Sequence, residues 1–193
     1  MEVLATKWIR LLPFDENKHF DAYFELRNDP RLLTLWSGRR DLVTRLQLED
    51  ELRHDFAGSR HQFLTMIRAG HNDIIGFVYD YGFNSISGYA YTATIVRYDL
   101  FGKGYTVHAM ALFIPYLFDC FNLRKLYSEV YDYNAQSKAI LLKIGYQEES
   151  RLRAHVFFEG QYYDLITLSI YREDLDAVRK LRSRLQRENI AEI

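Results

Sequence analysis

Residues 101–106, Phe-Gly-Lys-Gly-Tyr-Thr, set two glycines between an apolar, β-branched run and a long apolar helical pattern. The run is Ala93-Thr94-Ile95-Val96, and the helical pattern opens near Val107. A glycine-rich turn from strand to helix leaves several backbone N–H groups unpaired and aimed at one point. The positive end of the helix dipole lies behind them, so such a turn can hold a phosphate group. Downstream come Asn134-Ala135-Gln136-Ser137 and then Lys143-Ile144-Gly145-Tyr146.

Apolar and polar residues alternate or recur around this turn in a definite order of elements. Residues 7–14 read as a first strand ending at Pro13. Asp15 caps a helix in which Phe20, Tyr23, Phe24 and Arg27 recur near helical spacing. Asn28-Asp29-Pro30 stops it, because proline disfavours helical geometry in the residue before it. A loop through Trp36, Gly38, Arg39 and Arg40 leads to a second helix. That helix has Asp41 as its cap and Leu46, Leu48, Leu52 and Phe56 as apolar members, and Gly58-Ser59 closes it. Residues 61–68, 74–83 and 89–98 read as three strands joined by hairpins at 70–73 and 84–88.

After the glycine turn, Val107, Met110, Ala111, Ile114, Leu117, Phe118 and Phe121 form a helical stripe. Pro115 within it should bend the helix or remove one hydrogen bond. A strand at 125–133, a short helix at 135–143 stopped by Gly145, and strands at 151–158 and 162–171 follow. The tail, about 172–188, is a charged amphipathic helix with Leu175, Val178, Leu181 and Leu185 on one side. Its acidic residues come first and its basic residues later, as the helix dipole favours. The fold class is α/β (α+β), with a mixed, mostly antiparallel sheet flanked by helices. No repeat or linker divides it, so residues 1–193 read as a single domain with a core of about 6–172.

Composition narrows the function. A net charge of −1 and a pI near 6.6 argue against a general nucleic-acid binder or a polybasic membrane binder. The lone Cys120 excludes an internal disulfide and a cysteine-built zinc site, and its place on the apolar helix reads as an inert core thiol. The six histidines show no pairing with carboxylates at metal-ligand spacing, so no metal site is expected. The N-terminal residues 1–10 lack the apolar core of a signal peptide, and the apolar run 109–118 is too short for a membrane span. The chain reads as cytoplasmic and soluble. Its 15 Tyr and 13 Phe need a core, a pocket or an interface to account for them.

The glycine turn, the later Asn-x-x-Ser and the Lys-x-Gly-Tyr, in this order, resemble the acetyl-CoA-binding core of GNAT-superfamily N-acetyltransferases. The likeness covers nearly all of residues 6–172. Within the superfamily it is strongest to the branch of ribosomal-protein alanine and spermidine N-acetyltransferases. Asn28-Asp29-Pro30 followed by Trp36 is similar to that branch's first helix–helix connection. Residues 122–127, Asn-Leu-Arg-Lys-Leu-Tyr, look like its entry to the fifth strand, and 155–164 resembles its final hairpin.

The resemblance implies roles position by position. Ile95 and Val96 would hold the pantetheine arm through backbone groups, like an added strand. The Val96 N–H would also donate to the thioester oxygen as charge develops there. Phe101, Gly102, Lys103, Gly104, Tyr105 and Thr106 would surround the pyrophosphate. Asn134 and Ser137 would bond the cofactor arm from the other side, and Lys143 would reach a phosphate. An ordinary turn is the alternative for the glycines. For Asn134 it is a helix cap, which is compatible with binding because its amide both donates and accepts. The acceptor is expected near Trp36, Arg39, Tyr81, His155 and Asp164, where the first helices meet the final hairpin.

Three positions depart from the family pattern. Phe101 stands where Gln or Arg is usual, and Thr106 where Gly or Ala is usual, though Thr106 can cap the helix. Leu141 stands where many members carry the tyrosine that protonates the departing thiolate. Candidates for acid–base work are Tyr131, the tentative proton donor, with Glu129, Asp80, Tyr79, Tyr81, Tyr89 and Tyr91. His108 and His155 read as structural before catalytic.

The reading that follows is an acyltransferase: an acetyl-CoA-dependent N-acetyltransferase working by direct transfer in a ternary complex. Its acceptor would be a small-molecule amine or a protein N-terminus, and the chain a monomer or homodimer with no nucleic-acid or membrane partner. The alternative, which the empty Leu141 position favours, is a non-catalytic GNAT-fold sensor or subunit that binds CoA or acyl-CoA.

Overall fold

The computed structural model of the chain describes residues 4–35, 41–58 and 60–187. Seven strands form one sheet: β1 (Ile9–Pro13), β2 (Arg60–Arg68), β3 (Ile74–Asn84), β4 (Tyr89–Val96), β5 (Lys125–Tyr131), β6 (Gln147–Phe158) and β7 (Gln161–Tyr171). Their spatial order is β1-β2-β3-β4-β5-β7-β6. Every neighbouring pair is antiparallel except β4 and β5, which run parallel and are joined by the crossover helix α4 (Tyr105–Cys120). The other helices are α1 (Glu16–Arg27), α2 (Pro30–Leu33), α3 (Arg45–Gly58), α5 (Ala135–Ile144) and α6 (Leu175–Arg187).

The helix boundaries follow from local chemistry. Asp15 caps α1 by accepting from the Asn17 N–H. Asp29 caps α2 with Pro30 in its first turn, where the missing N–H is harmless. The expected Asp41 cap is corrected. Thr44 holds that place: its hydroxyl accepts from the Gln47 N–H at 3.3 Å, and the Gln47 side chain accepts from the Thr44 N–H at 2.8 Å. This reciprocal pair satisfies two donors at once, which Asp41, outside the helix, does not do. Asp41 instead offers its carbonyl to Arg27. The helix α4 runs through Pro115, which leaves the Ala111 carbonyl without its ladder partner. Cys120 is exposed, correcting the core-thiol expectation: as the last residue of α4 it falls with Asp119 on the solvent side, while Leu117 and Phe118 of the same turn are buried.

Alternation along the strands divides the apolar residues between two faces. On one face Met66, Ile75, Val78, Leu126, Ile166 and Leu168 pack under Phe113 and Leu117 of α4 and Val178 of α6. On the other, Phe63, Phe77, Tyr79 and Ile95 pack against Tyr23, Leu26, Leu48 and Leu52 of the first helices. The pairing of β3 with β4 is so close that a Cβ at Gly76 would lie 2.2 Å from the Ile95 carbonyl oxygen, so only glycine fits there.

Candidate active site

The parallel pairing of β4 with β5 stops early. It joins Tyr89 to Lys125, Ala90 to Leu126 and Tyr91 to Tyr127, whereas β4 continues to Val96 and β5 to Tyr131. Beyond Tyr91 the strands separate and leave an opening in the sheet. Side chains take over the hydrogen bonding where they part. The Thr92 hydroxyl donates to the Tyr127 carbonyl at 3.0 Å, and the Ser128 hydroxyl donates to the Thr92 carbonyl at 2.8 Å. The buried Tyr146 hydroxyl lies 3.0 Å from Thr92 Oγ1 and completes the cluster. Burial pushes its phenol well above the ordinary range, so it stays protonated as a structural hydrogen-bonding group.

The Arg97 N–H donates to the Ile75 carbonyl, which sets the alternation of the β3–β4 ladder. Ile95, opposite Phe77, gives its peptide groups to β3, whereas those of Thr94 and Val96 turn toward the opening. Ile95 therefore lines the cleft without offering it a backbone donor. The cleft, about 900 Å³, continues from there in both directions.

Toward α4 it is walled by Phe101, Gly102, Gly104, Tyr105 and Thr106. Gly102 and Gly104 have φ of 75° and 84°, values that β-carbon-bearing residues rarely adopt. Gly104 is the N-cap of α4 and brings no side-chain cap, so the first N–H groups of the helix point outward along its axis. Thr106 lies inside the helix and does not cap it, contrary to expectation. Lys103 is exposed and does not line the cleft. Behind the turn, His108 Nδ1 lies 2.9 Å from Thr6 Oγ1, and its ring stacks on Trp8 at 4.6 Å. Burial lowers His108 to about 4, so it is a neutral support and not a base.

The opposite wall comes from α5. Asn134 is buried, caps α5 by accepting from the Ser137 N–H at 3.2 Å, and lines the cleft together with Ser137 and Lys143. Leu141 is 7% exposed and also lines it, so the cleft wall there is a hydrocarbon surface.

The other end of the cleft is made of side chains from α1, α3, β3, β5 and the β6–β7 hairpin. Arg27, Glu51, Asp55, Tyr79, Tyr81, Glu129, Tyr131 and His155 line it. Arg27 is almost wholly buried and bonds Glu51 through two nitrogens at 3.2 and 3.3 Å, tying α1 to α3. The protein around Glu129 raises its pKa by desolvation. A nearby His155 and a hydrogen bond from Tyr81 oppose that shift. Tyr81 is itself raised, chiefly by burial and then by the Glu129 charge.

Three expected acceptor-side residues behave differently. Trp36 and Arg39 lie outside the described residues. Asp164 does not line the cleft: one carboxylate oxygen accepts from the Ala154 N–H at 2.9 Å and the other from Arg151 at 3.0 Å. Asp80 is buried on the α4 face of β3, away from the cleft, and desolvation raises it to about 7. Its Oδ1 accepts from the Gln62 N–H at 2.6 Å, and its Oδ2 lies 3.6 Å from His61 Nδ1. Tyr89 and Tyr91 stand beyond the cleft in an aromatic row, with Tyr91 stacked on Tyr81 at 5.3 Å and on Tyr127 at 5.0 Å. The Thr92–Ser128–Tyr146 cluster, the Trp8–His108 support and the Arg27–Glu51 tie were not anticipated. Each depends on residues far apart in sequence.

The site is thus a parting of two parallel strands, with a glycine turn and a helix N-terminus at one end and titratable groups at the other, and the family match makes it that of an acyltransferase. The chain belongs to the GNAT acetyltransferase family: the Acetyltransferase (GNAT) domain model matches residues 9–147. It is similar to the SPbeta prophage-derived uncharacterized N-acetyltransferase YokL of Bacillus subtilis, 26% identical over 132 residues, which are 67% of this chain and 70% of that protein. Its fold is similar to that of spermidine N-acetyltransferase from Vibrio cholerae, solved with CoA and spermine. The TM-score is 0.80 at 20% identity, over 87% of this chain and 98% of that one. A GCN5-related N-acetyltransferase from Brucella melitensis superposes with a TM-score of 0.77 at 20% identity, over 97% of this chain and 87% of that one. Among the described residues no helix is long and apolar enough to cross a membrane.

Proposed function

We propose that this chain is an acetyl-CoA-dependent N-acetyltransferase that passes the acetyl group directly to a primary amine, on a small molecule or a protein N-terminus. The observation that carries the reading is the continuity of one cleft, from the outward N–H groups at Gly104, past the Val96 peptide, to Glu129.

The residues present fit acetyl-CoA. The N-cap without a side chain leaves helix N–H donors for the pyrophosphate, with Gly102, Gly104, Tyr105 and Thr106 around it. The inward peptide groups of Thr94 and Val96 suit the amide-bearing pantetheine arm, and Asn134, Ser137 and Lys143 face it from α5. When bound, acetyl-CoA supplies an activated acetyl thioester. The Val96 N–H then stabilises negative charge developing on the carbonyl oxygen. Holding amine and thioester together removes most of the entropic part of the barrier.

Glu129 is the group placed to accept the ammonium proton. Its raised pKa brings its basicity closer to that of the amine than an ordinary carboxylate would, and Tyr81 steadies it. Tyr131 lines the same cleft near Asn134 and donates the proton that the departing sulfur needs, a role Leu141 cannot fill. Glu51, Asp55 and Glu129 give the acceptor end a carboxylate lining that suits a cationic amine.

The test is free-thiol release from acetyl-CoA with a panel of polyamines, amino sugars and peptides bearing free N-termini. Amine-dependent release supports transfer. Tight acetyl-CoA binding with no release for any amine would favour the second reading, a non-catalytic acyl-CoA sensor, which the hydrocarbon surface at Leu141 recommends. No binding at all overturns both.

A further inference from the structure

The β6–β7 hairpin contains a break in register at the rim of the cleft. Leu152 pairs with Leu165 and Val156 with Tyr163, so Arg153, Ala154 and His155 on β6 face the single residue Asp164 on β7. Two extra residues must therefore leave the plane of the ladder. Ala154 accommodates them at φ 50°, a left-handed conformation that a Cβ-bearing residue adopts at a cost. Such a conformation persists only where the surroundings hold it. Here Asp164 does so: Oδ1 accepts from the Ala154 N–H at 2.9 Å, and Oδ2 accepts from Arg151 at 3.0 Å. Arg151 is fixed in turn by Glu148 at 3.0 Å.

The strained residue lies directly before His155, which the bulge brings to the cleft wall along with Val156. His155 lines the same cleft as Glu129, and its influence holds the raised Glu129 pKa down. A regular strand here would change which of these residues face the cleft, because one-residue steps alternate between faces.

We infer that Asp164 is a positioning residue: by pinning the Arg153–His155 bulge it sets the His155 imidazole on the wall of the cleft that Glu129 also lines, where the two together receive the acceptor amine. This rests on the acetyl-transfer reading and deepens it, since it names the pair that fixes the amine. Asp164 touches no substrate; it acts through the backbone of Ala154.

The experiment uses the full chain and an amine that the wild-type protein acetylates. Asp164→Ala is expected to raise the KM for the amine at least tenfold while the KM for acetyl-CoA stays within twofold. Asp164→Asn keeps an oxygen for the Ala154 N–H and should recover most of the loss. In a His155→Ala background, Asp164→Ala should add less than twofold, because the group it positions is gone. An unchanged amine KM in Asp164→Ala, or a full tenfold effect without His155, overturns the inference. If Asp164→Ala does not fold, Arg151→Gln, which removes only the outer anchor, makes the same comparison with about a threefold effect expected.

Failure of acetyl transfer itself is read separately. If the wild-type protein acetylates no amine, the ring resonances of His155 are followed by NMR at a single fixed pH. Glu129, Tyr81, Tyr131, Glu51 and Asp55 line its end of the cleft, and Arg153 is on its own strand. Glu129→Gln should move those resonances in the chain with Asp164 intact and leave them unmoved in Asp164→Ala. Ring resonances indifferent to Glu129 in both overturn the positioning.

Discussion

At the α4 end of the cleft the inward groups are peptide N–H groups of Val96 and of the first turn of α4. At the hairpin end they are the side chains of Tyr81, Glu129, Tyr131 and His155. The first set cannot be removed by trimming a side chain. It is lost only when the backbone is displaced or covered, which is why glycine at 102 and 104 matters more than any functional group there. The second set consists of separable groups whose protonation depends on one another: the hydrogen bond from Tyr81 holds the Glu129 pKa down, while the Glu129 charge pushes that of Tyr81 up. An enzyme built this way can keep its donor while its acceptor changes, because the two ends rest on different atoms.

The largest effect expected from that division is at Gly104. With φ at 84° and the turn against the helix axis, Gly104→Val should reduce acetyl-CoA affinity at least 100-fold by calorimetry, with the circular-dichroism spectrum retained. Unchanged affinity in a folded variant would remove the loop from the site. At the other end, Glu129→Gln should lower kcat about 10²-fold, in the range for loss of a general base, and leave acetyl-CoA affinity within twofold. The wild-type rate should rise with pH through the upward-shifted Glu129 pKa, since the base works when deprotonated, and the variant should lack that limb. Weakened acetyl-CoA binding in Glu129→Gln would show that the two ends are not separable.

Tyr131→Phe keeps the ring, which stacks on Tyr133 at 5.3 Å, and removes only the hydroxyl. The maximal rate should fall at least tenfold with little change in acetyl-CoA affinity. An unchanged rate would leave the family position vacant, and Leu141→Tyr should then raise turnover.

What could be read along the chain divides along similar lines. The glycine turn, the Asn134 cap, the hairpins and the order of elements depend on neighbours a few residues apart, so they were legible. Asp15 was legible as a cap for the same reason, whereas Asn28-Asp29-Pro30 was read only as the stop of α1, and the one-turn helix that Asp29 caps was missed. Thr44 was missed in favour of Asp41 because both are good caps and only the reciprocal bond with Gln47 decides between them. Glu129 and His155 were visible only as candidates among many, since the cleft that selects them joins strands far apart in sequence. Asp164 was assigned to the acceptor because its place in the final hairpin was legible, whereas a two-residue bulge has no local signature. The lysine of the loop, Lys103, belongs to the motif by letter, yet its side chain stands in solvent.

The smallest expected effect tests the face of the sheet that serves neither end. Burial pushes the Asp80 carboxyl from the ordinary 3.8 up to about 7 in the folded protein. A raised pKa means its protonated form stabilises the fold, fully below about pH 4, and that contribution is lost as pH rises through 7. Asp80→Asn should remove this decline, so the variant gains on the order of 1–2 kcal/mol over wild type above pH 7 in chemical denaturation. Acetyl-CoA affinity should not move. A variant with the wild-type pH dependence of stability would show that His61, 3.6 Å away, compensates the charge.

Strands β4 and β5 share only three paired registers before they part. Four strands therefore stand on one side of a short seam and three on the other, with Thr92, Ser128 and Tyr146 sewing the end of it. A seam of that length joins the two halves by few bonds, and a molecule lying along the open edges would add a second line of stitching beyond it. Its binding would bear on mechanics as well as chemistry: amide protons in β5 and β7, remote from any contact with the molecule, should exchange more slowly once the two flaps are drawn together.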